Sequence, residues 1–396
     1  MTKKINAIVI LQANKIELRI METFEKRIFQ IYSSSCDEDS KYSKFISESI
    51  MQVNKKFSLN IKEIVFVILI AKGIKLNLEK RFSTIEVNGK ISLEHIEKSI
   101  KIEKDSLKQN DQVAILSRPY KYEVLSKNDQ IATFNEVPLD IEAKELKTYS
   151  VVSHISSSIY NYIINLCENA NITLKTIVTD SHLNQYLLDN NSFLIENKEK
   201  SLININEESV TINIYNNNVL IDYHILSFGT KYIYEKIFKN HDSITSEEAK
   251  KIFSIYTDFN KFNSEKQVAL NSNLTLKKLN QYTLLFFEKI FEEFNKKFSL
   301  VSRDTIYLTG EGSSILDLEK IINSNFEKNG IDTKCHVNSF ITYQLLNEEK
   351  NSYMATKYIN SMIDTKMENN FLITKPLKIL QTYEFISNTS ENYLIS

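Results

Sequence analysis

The sequence of 396 residues contains few cysteines, prolines and glycines, and no tryptophan. Its three cysteines, Cys36, Cys167 and Cys335, are odd in number and far apart. This spacing excludes a framework of disulfide bonds and indicates a reducing compartment. The scarcity of glycine and proline beside abundant lysine, asparagine and isoleucine is typical of an AT-rich genome.

Net charge and long apolar runs are also lacking. The formal net charge is −1, and no stretch concentrates basic residues, which excludes the electrostatic footprint of a nucleic-acid-binding protein. The longest apolar run, residues 64–71, is only about a third of a membrane span, so it predicts a strand buried on both faces. The start, MTKKINAIVIL, becomes polar too soon for a secretory signal. We expect a cytoplasmic protein without a nucleic-acid partner.

Apolar periodicity predicts an α/β protein in which one motif occurs twice. Three strands, a helix capped by Ser40 and a buried strand come first. A second strand trio follows about 200 residues later, with a helix beginning after Gly229. The predicted strands are 5–11, 15–20, 27–32 and 64–70, then 149–153, 174–179, 201–205, 210–214 and 219–226. Such a repeat indicates an internal duplication.

Residues 72–148 interrupt the first copy of the motif. Short strands are predicted at 84–87, 112–117 and 120–125, around a helix that begins at Ser92. Two of the three prolines lie in this stretch. The pattern predicts a small inserted α+β subdomain.

Residues 230–300 are predicted to be mostly helical. One long apolar stripe favours core packing over a cofactor site; it consists of Leu276, Leu279, Phe287, Ile290, Phe291, Phe294 and Phe298.

Two glycines lie one residue apart in the stretch LTGEGSSILDL, residues 308–318. An apolar strand precedes them and helical spacing follows, so we expect a strand, a glycine turn and a helix capped by Ser313 or Ser314. Gly310 and Gly312 would let a phosphate or a flat ring approach the backbone. The alternative is that the turn needs glycine for backbone reasons alone.

Six stretches resemble a known family. In chain order they are VFVILIAKGIK, GKISLEHIEKSI, SLININEESVTINIYNNNVLIDYHILSFGTKYI, SITSEEAKKIF, IYLTGEGSSILDLEKII and NSYMATKYINSMI. Their order and spacing, more than identical residues, are similar to those of FtsA, the actin-like bacterial cell-division protein, whose extra subdomain lies at this point of the chain. The resemblance runs from about residue 6 to 365. It implies an α/β actin-like (actin/Hsp70 ATPase) two-domain fold with a small inserted α+β subdomain.

This comparison divides the chain into segments. The first actin-like domain takes 1–71 and 149–198, with the inserted subdomain at 72–148; the second takes 199–228 and 301–350, with a helical subdomain at 229–300; a closing helix at 351–366 and a C-terminal tail at 367–396 follow. In FtsA relatives such a tail ends in a membrane-binding amphipathic helix. Here TKPLKILQTYEF lacks a clean apolar stripe, so a peripheral strand or a short packed helix is the alternative.

The resemblance also implies a site for an adenine nucleotide, ATP with Mg²⁺. The residues of this chain that match it are Gly310, Glu311, Gly312, Ser313, Gly229, Ser209 and Glu248. Both phosphate loops depart from the family pattern of Asp, Gly and Thr or Ser. The first has Ile10, Gln12 and Ala13, and the second has Asn204, Asn206, Glu207 and Glu208, so that only Ser209 keeps its chemistry.

Physical chemistry argues against phosphate binding at the second loop. A phosphate cradle needs unobstructed backbone N–H groups, usually supplied by glycine. Each like-charge pair at about 4 Å costs about 1 kcal/mol in water and about 4 kcal/mol at an effective dielectric of about 20. Glu207 and Glu208 would therefore repel phosphate unless they bound Mg²⁺ directly. We expect a weakened or lost nucleotide site, and a protein that is more a scaffold than an enzyme.

Other reactive residues form no recognisable site. Cys335 and His336 are adjacent, but no second pair lies at metal-ligand spacing. Ser153 and Ser181 each precede a histidine, which does not by itself create a nucleophile and base. No catalytic residue and no metal ligand is assigned.

The resemblance implies a division scaffold that binds the C-terminal tail of FtsZ, through 229–300, and self-associates into filaments or dimers through the insertion. It would contact the inner face of the cell membrane at the division site. Two alternatives stay open. One is an active actin-fold ATPase or kinase of the sugar or acetate type, which would need acidic residues in the phosphate loops. The other is an actin-like adaptor of the type IV pilus platform, which shares the fold and the insertion but would bind a different peptide.

Overall fold

The structure is a computed structural model that describes residues 3–12, 15–24, 27–69, 74–106, 111–189, 199–216, 219–261, 263–269, 272–298, 305–313, 315–337, 355–356 and 384–386. The chain forms two compact units. The first is residues 1–194, 216–221 and 348–396, and the second is 195–215 and 222–347.

A six-stranded sheet forms the centre of the first unit. Its strands are β1 (Lys4–Gln12), β2 (Lys15–Phe24), β3 (Arg27–Cys36), β4 (Glu63–Ile68), β9 (Thr173–Thr179) and β15 (Glu384–Ile386), in the order β15-β3-β2-β1-β4-β9. Strand β2 is antiparallel to β1 and β3, whereas β1, β4 and β9 are parallel. From Ile64 to Ile68 every residue of β4 is buried, which confirms the prediction of a strand covered on both faces.

Helices α1 (Tyr42–Phe57), α3 (Ser157–Asn169) and α4 (Asp180–Asp189) belong to this unit. The predicted cap at Ser40 is wrong. A 3-10 turn, Asp39–Lys41, precedes α1, and no side chain caps the helix. The backbone amide of Tyr42 donates to the carbonyl of Asp39, so the turn itself satisfies an amide that the Ser40 hydroxyl was expected to bind.

The insertion is a four-stranded antiparallel sheet with one helix. It comprises β5 (Asn77–Lys90), α2 (Leu93–Asp105), β6 (Gln112–Leu125), β7 (Ile131–Phe134) and β8 (Glu142–Ser156), in the order β5-β8-β6-β7. The predicted helix start at Ser92 is confirmed by a capping box with His95. The packed core contains Ile85, Val87, Ile91, Ile96, Tyr122, Val124, Ala143 and Leu146.

The predicted strand lengths in the insertion are wrong. The segments 112–117 and 120–125 are one strand, β6, in which the register shifts between Pro119 and Lys121. A bulge accommodates the missing amide hydrogen of proline without ending the strand. Strand β8 likewise continues past residue 153, so Ile155 lies in the strand, and α3 is capped by Ser156.

The second unit repeats the strand order of the first. Its sheet contains β10 (Glu199–Ile205), β11 (Val210–Asn216), β12 (Val219–Leu226), β13 (Thr305–Thr309) and β14 (Lys334–Val337), in the order β12-β11-β10-β13-β14. Without β15 and the insertion, the first sheet has the order β3-β2-β1-β4-β9, which matches β12-β11-β10-β13-β14 strand for strand. In both sheets the first, fourth and fifth strands of the unit are parallel to one another. This duplicated α/β architecture is the actin-like fold, as predicted.

The two units differ in where additional elements enter. In the first unit the inserted sheet follows β4, the fourth strand. In the second unit three helices follow β12, the third strand: α5 (Lys231–Asn240), α6 (Ser246–Tyr256) and α7 (Leu276–Phe298). The first unit has one helix, α1, at this point, so two of the three are additional. Helix α8 (Leu318–Lys328) then connects β13 to β14.

Helix α7 confirms the predicted apolar stripe. Leu276, Leu279, Phe287, Ile290, Phe291 and Phe294 are all buried, while Phe298 at the end is half-buried. No described helix combines the length and the apolar character that crossing a membrane requires.

Most of the C-terminal segment lies outside the described residues, including nearly all of the predicted closing helix and tail. Residues 355–356 are helical and buried. Strand β15 pairs in parallel with β3 at the edge of the first sheet. The last two residues of TKPLKILQTYEF therefore belong to a peripheral strand, which was the alternative to a membrane helix.

Candidate functional site

Residues 206–209, which connect β10 to β11, are held by hydrogen bonds within the loop and to the start of α5. The amide of Asn206 donates to the carbonyl of Ser209 over 3.0 Å and closes a tight turn. The amides of Thr230 and Lys231 donate to the carbonyls of Asn206 and Glu207, each over 3.0 Å. Because Lys231 is the first residue of α5, amides that a phosphate could use at this helix start already bind carbonyl oxygens.

Gly229 makes this contact possible. A Cβ atom at residue 229 would lie 2.2 Å from the carbonyl oxygen of Asn206 and 2.4 Å from that of Glu207. Only glycine lets the two backbones approach so closely. The glycine that the resemblance assigned to the nucleotide therefore packs against the neighbouring loop.

The two carboxylates of the loop are paired with lysines. Glu207 binds Lys250 of α6 at 2.6 Å, and Glu208 binds Lys231 of α5 at 2.9 Å. The hydrogen bond to Glu208 raises the pKa of Lys231. Both carboxylates therefore attract cations of the same unit, which agrees with the expectation that they would repel a phosphate.

Gly310 and Gly312 face the end of β10. Gly310 has a φ of +91°, and a Cβ there would lie 2.3 Å from the carbonyl oxygen of Ile205. A Cβ at Gly312 would lie 2.3 Å from the Cγ2 methyl of Ile205 and 2.9 Å from that of Thr230. Backbone geometry and packing therefore account for both glycines without a ligand.

Ser313 does not cap a helix, contrary to the prediction. Its amide and hydroxyl both donate to the carbonyl of Gly310, the hydroxyl over 2.7 Å. Glu311–Ser313 form a 3-10 turn, and α8 begins only at Leu318, after Asp317 in a left-handed conformation. The helix starts later than predicted because the serine is used to close the glycine turn. Ser314 lies outside the described residues.

Glu248 helps to cap the start of α6. Its carboxylate accepts hydrogen bonds from the amide and the hydroxyl of Thr245, both at 2.8 Å, in a capping box. These bonds lower the pKa of Glu248. Lys251, on the same helix, pairs with Glu247 at 3.1 Å. Glu248, which the resemblance assigns to the nucleotide, thus has its partner at the cap of its own helix.

Neither loop offers a carboxylate at the positions that hold Mg²⁺ in the family. Ile10 is buried in β1, and Asn204 is buried in β10 beside Thr309 of β13. Gln12 ends β1, and Ala13 lies outside the described residues. Among the residues that the structure describes, no three His, Cys, Asp or Glu side chains converge as a metal site. The residues present do not fit Mg-ATP.

A buried serine–histidine contact occurs in the first unit, where sequence adjacency suggested none. The Nε2 atom of His182 lies 2.8 Å from the hydroxyl of Ser153, and its Nδ1 atom lies 2.8 Å from that of Thr179. Burial, with Arg118 nearby, lowers the pKa of His182 to about 3. Ser153 and His182 are both only 3% exposed, so this is a neutral, internal hydrogen-bond relay and not an accessible nucleophile.

Comparison with known proteins adds little to this description. No protein-family model and no curated protein matches the sequence. Solved structures with overall similarity include the PilM-PilN type IV pilus biogenesis complex, at 11% identity over 88% of this chain and 94% of that chain, with a TM-score of 0.46. MreB5 of Spiroplasma citri bound to AMPPNP has 9% identity over 92% and 99%, with a TM-score of 0.47. The ethanolamine utilization protein EutJ of Carboxydothermus hydrogenoformans has 9% identity over 96% and 91%, with a TM-score of 0.42. The fold assignment rests on the strand order, not on these values.

Proposed function

We propose that this chain is a division scaffold of the FtsA type. It binds the C-terminal tail of FtsZ through the helical subdomain at 229–300, self-associates through the insertion, and helps to link division filaments to the inner face of the cell membrane. The membrane contact would come from residues 367–396.

The position of the insertion carries this proposal. A four-stranded sheet follows the fourth strand of the first unit, whereas the additional helices of the second unit follow its third strand. FtsA resembles this chain in having its extra subdomain at the same point. Adaptors of the type IV pilus platform share the insertion, so the peptide that binds decides between the two. A simple duplication would place both inserts at equivalent points, so the asymmetry is a specific feature of the topology.

The state of the loop at 206–209 favours a scaffold over an enzyme. Its carbonyls bind the start of α5, and its carboxylates bind Lys231 and Lys250. An ATPase or kinase of this fold needs backbone amides that are free to bind phosphate, and carboxylates that bind Mg²⁺, at these positions. The active ATPase or kinase alternative is not favoured by any feature of the site.

The test is a binding titration of the full chain with a labelled C-terminal peptide of FtsZ from the same organism. We expect saturable binding in the micromolar range and none for a scrambled peptide of equal composition. Loss of binding on substitution of exposed residues within 229–300, in a protein whose second unit still unfolds cooperatively, would locate the site. Absence of binding at any accessible concentration would contradict the division role, and a PilN-type partner should then be titrated.

A further inference from the structure

A groove lies between α7 and α8 of the second unit, with a volume of about 350 Å³. Its apolar walls are formed by Leu284, Phe287, Phe291, Ile322, Phe326 and Ile331. Phe291 and Phe326 meet edge to face where the two helices approach, with ring centroids 4.9 Å apart. The volume lies near the lower end of the range of ligand pockets, about 300–1,000 Å³, so the groove suits a few side chains of a short segment.

The rim on the α7 side is acidic. Glu288 and Glu292 line the groove, are exposed, and lie one helical turn apart. The neighbouring lysines of α7 are engaged elsewhere: Lys289 lies over two aromatic rings, and Lys296 bonds to Glu293 at 2.7 Å. In the described part of the chain neither rim carboxylate forms a close ion pair, although Lys296 attracts Glu292 at longer range. Like charges at this spacing repel each other on a helix, so a cation placed between them would be favourable.

The opposite rim is neutral. It presents Asn325 and Asn329 of α8, and the side-chain amide of Asn329 donates to the carbonyl and side-chain oxygens of Asn325. No Lys, Arg or His is among the described residues that line the groove. The surface therefore combines an apolar interior with charge of a single, negative sign.

We infer that this groove binds a short basic amphipathic segment of a partner protein. One large apolar side chain of the segment fills the groove and packs against the touching rings of Phe291 and Phe326. Lysine or arginine side chains one helical turn away pair with Glu288 and Glu292, as in other helix-in-groove complexes. The negative rim repels acidic segments, which gives the groove its selectivity. The groove shares α7 with the region 229–300 proposed to bind the FtsZ tail, but it is inferred from its own lining and charge.

The test uses a fluorescein-labelled helical peptide of about four turns that carries one phenylalanine and lysines at i+4 spacing. A matched peptide has glutamate in place of each lysine. Fluorescence anisotropy with the full chain should show saturable, salt-sensitive binding of the basic peptide. The acidic peptide should bind at least about tenfold more weakly.

Substitutions in the groove test whether the peptide binds there. Combined Glu288→Lys and Glu292→Lys should weaken binding of the basic peptide about tenfold or more and improve binding of the acidic one. Asn295→Trp, an exposed position on the groove, should block both. The control is combined Glu94→Lys and Glu97→Lys on α2, the same charge change on exposed residues of the other unit, which should leave binding unchanged.

Three results would overturn the inference. The first is equal binding of the basic and acidic peptides, and the second is parent-like binding of the basic peptide by both groove variants. The third is a change in the sedimentation coefficient when the charges of Glu288 and Glu292 are reversed in the absence of peptide. A second copy of the chain would then be the occupant of the groove.

Discussion

Position 229 shows how a single residue determines the state of the candidate site. The backbone of Gly229 touches the carbonyls of Asn206 and Glu207, and the next two amides bind those carbonyls. The glutamates of the same loop reach Lys231 and Lys250, 23 and 43 residues away in sequence. Packing, hydrogen bonding and charge pairing thus converge on one short loop.

Replacing Gly229 by alanine should therefore destabilise the second unit. The added methyl group would lie 2.2 Å from the carbonyl oxygen of Asn206, so the loop or the start of α5 must move. Overpacking of this kind costs about 1–3 kcal/mol. Urea unfolding followed by circular dichroism measures the change.

The matched control is Gly89→Ala in β5, where no atom lies within 4 Å of the added Cβ. Its unfolding midpoint should stay close to that of the parent. Equal midpoints for both alanine variants and the parent would show that the close contact at residue 229 is absent in solution.

Among the elements, α7 illustrates how one helix serves different surfaces. Its 23 residues bury a continuous apolar stripe. On one side Phe286 packs with Phe228, Tyr232 and Phe287 at centroid distances of 5.4–6.3 Å. On another side the helix forms a wall of the groove with α8. The helix is thus both a core element of the second unit and the frame of an interaction surface.

Two adjacent residues of α7 should respond very differently to truncation. Phe286 is fully buried, and Phe286→Ala should lower the free energy of unfolding by about 3–5 kcal/mol. Leu285 is 52% exposed, and Leu285→Ala should change it by less than about 0.5 kcal/mol. Thermal and urea unfolding of both variants provide the measurement. A similar loss for both would mean that Leu285 is covered in solution, for example by another chain.

Element boundaries show which features the sequence could predict. Apolar alternation predicted the strands, and the stripe of α7 was visible because burial and helical spacing coincide. The two halves of β6 were predicted as separate strands because Pro119 commonly ends a strand, and the bulge depends on pairing with β8, which sequence spacing does not reveal. The start of α8 was predicted too early because the hydroxyl of Ser313 binds Gly310. Competing local hydrogen bonds decided these boundaries.

For the whole molecule, two sheets of equal strand order define the fold, and their repetition was predictable from the repeated strand trio. The state of the nucleotide site was predictable only in part. Residue types at Ile10, Asn204 and Glu207 indicated that phosphate binding was weakened. The pairing of the loop with Lys250 depends on contacts between distant segments, which one sequence does not contain.

We expect Mg-ATP to leave the thermal stability of the full chain unchanged. A ligand at 100 times its dissociation constant stabilises a protein by about 2.7 kcal/mol, which a thermal shift assay detects. Sodium sulfate at equal ionic strength controls for salt effects. A clear shift with Mg-ATP, or ATP hydrolysis that Gly310→Val abolishes, would contradict the loss of the site.

The unequal positions of the two insertions leave the repeated sheet of each unit intact. A helical insert after the third strand and a sheet insert after the fourth share neither position nor secondary structure. The five repeated strands keep the same order in both units, so each insert extends from a connection between strands and replaces none of them.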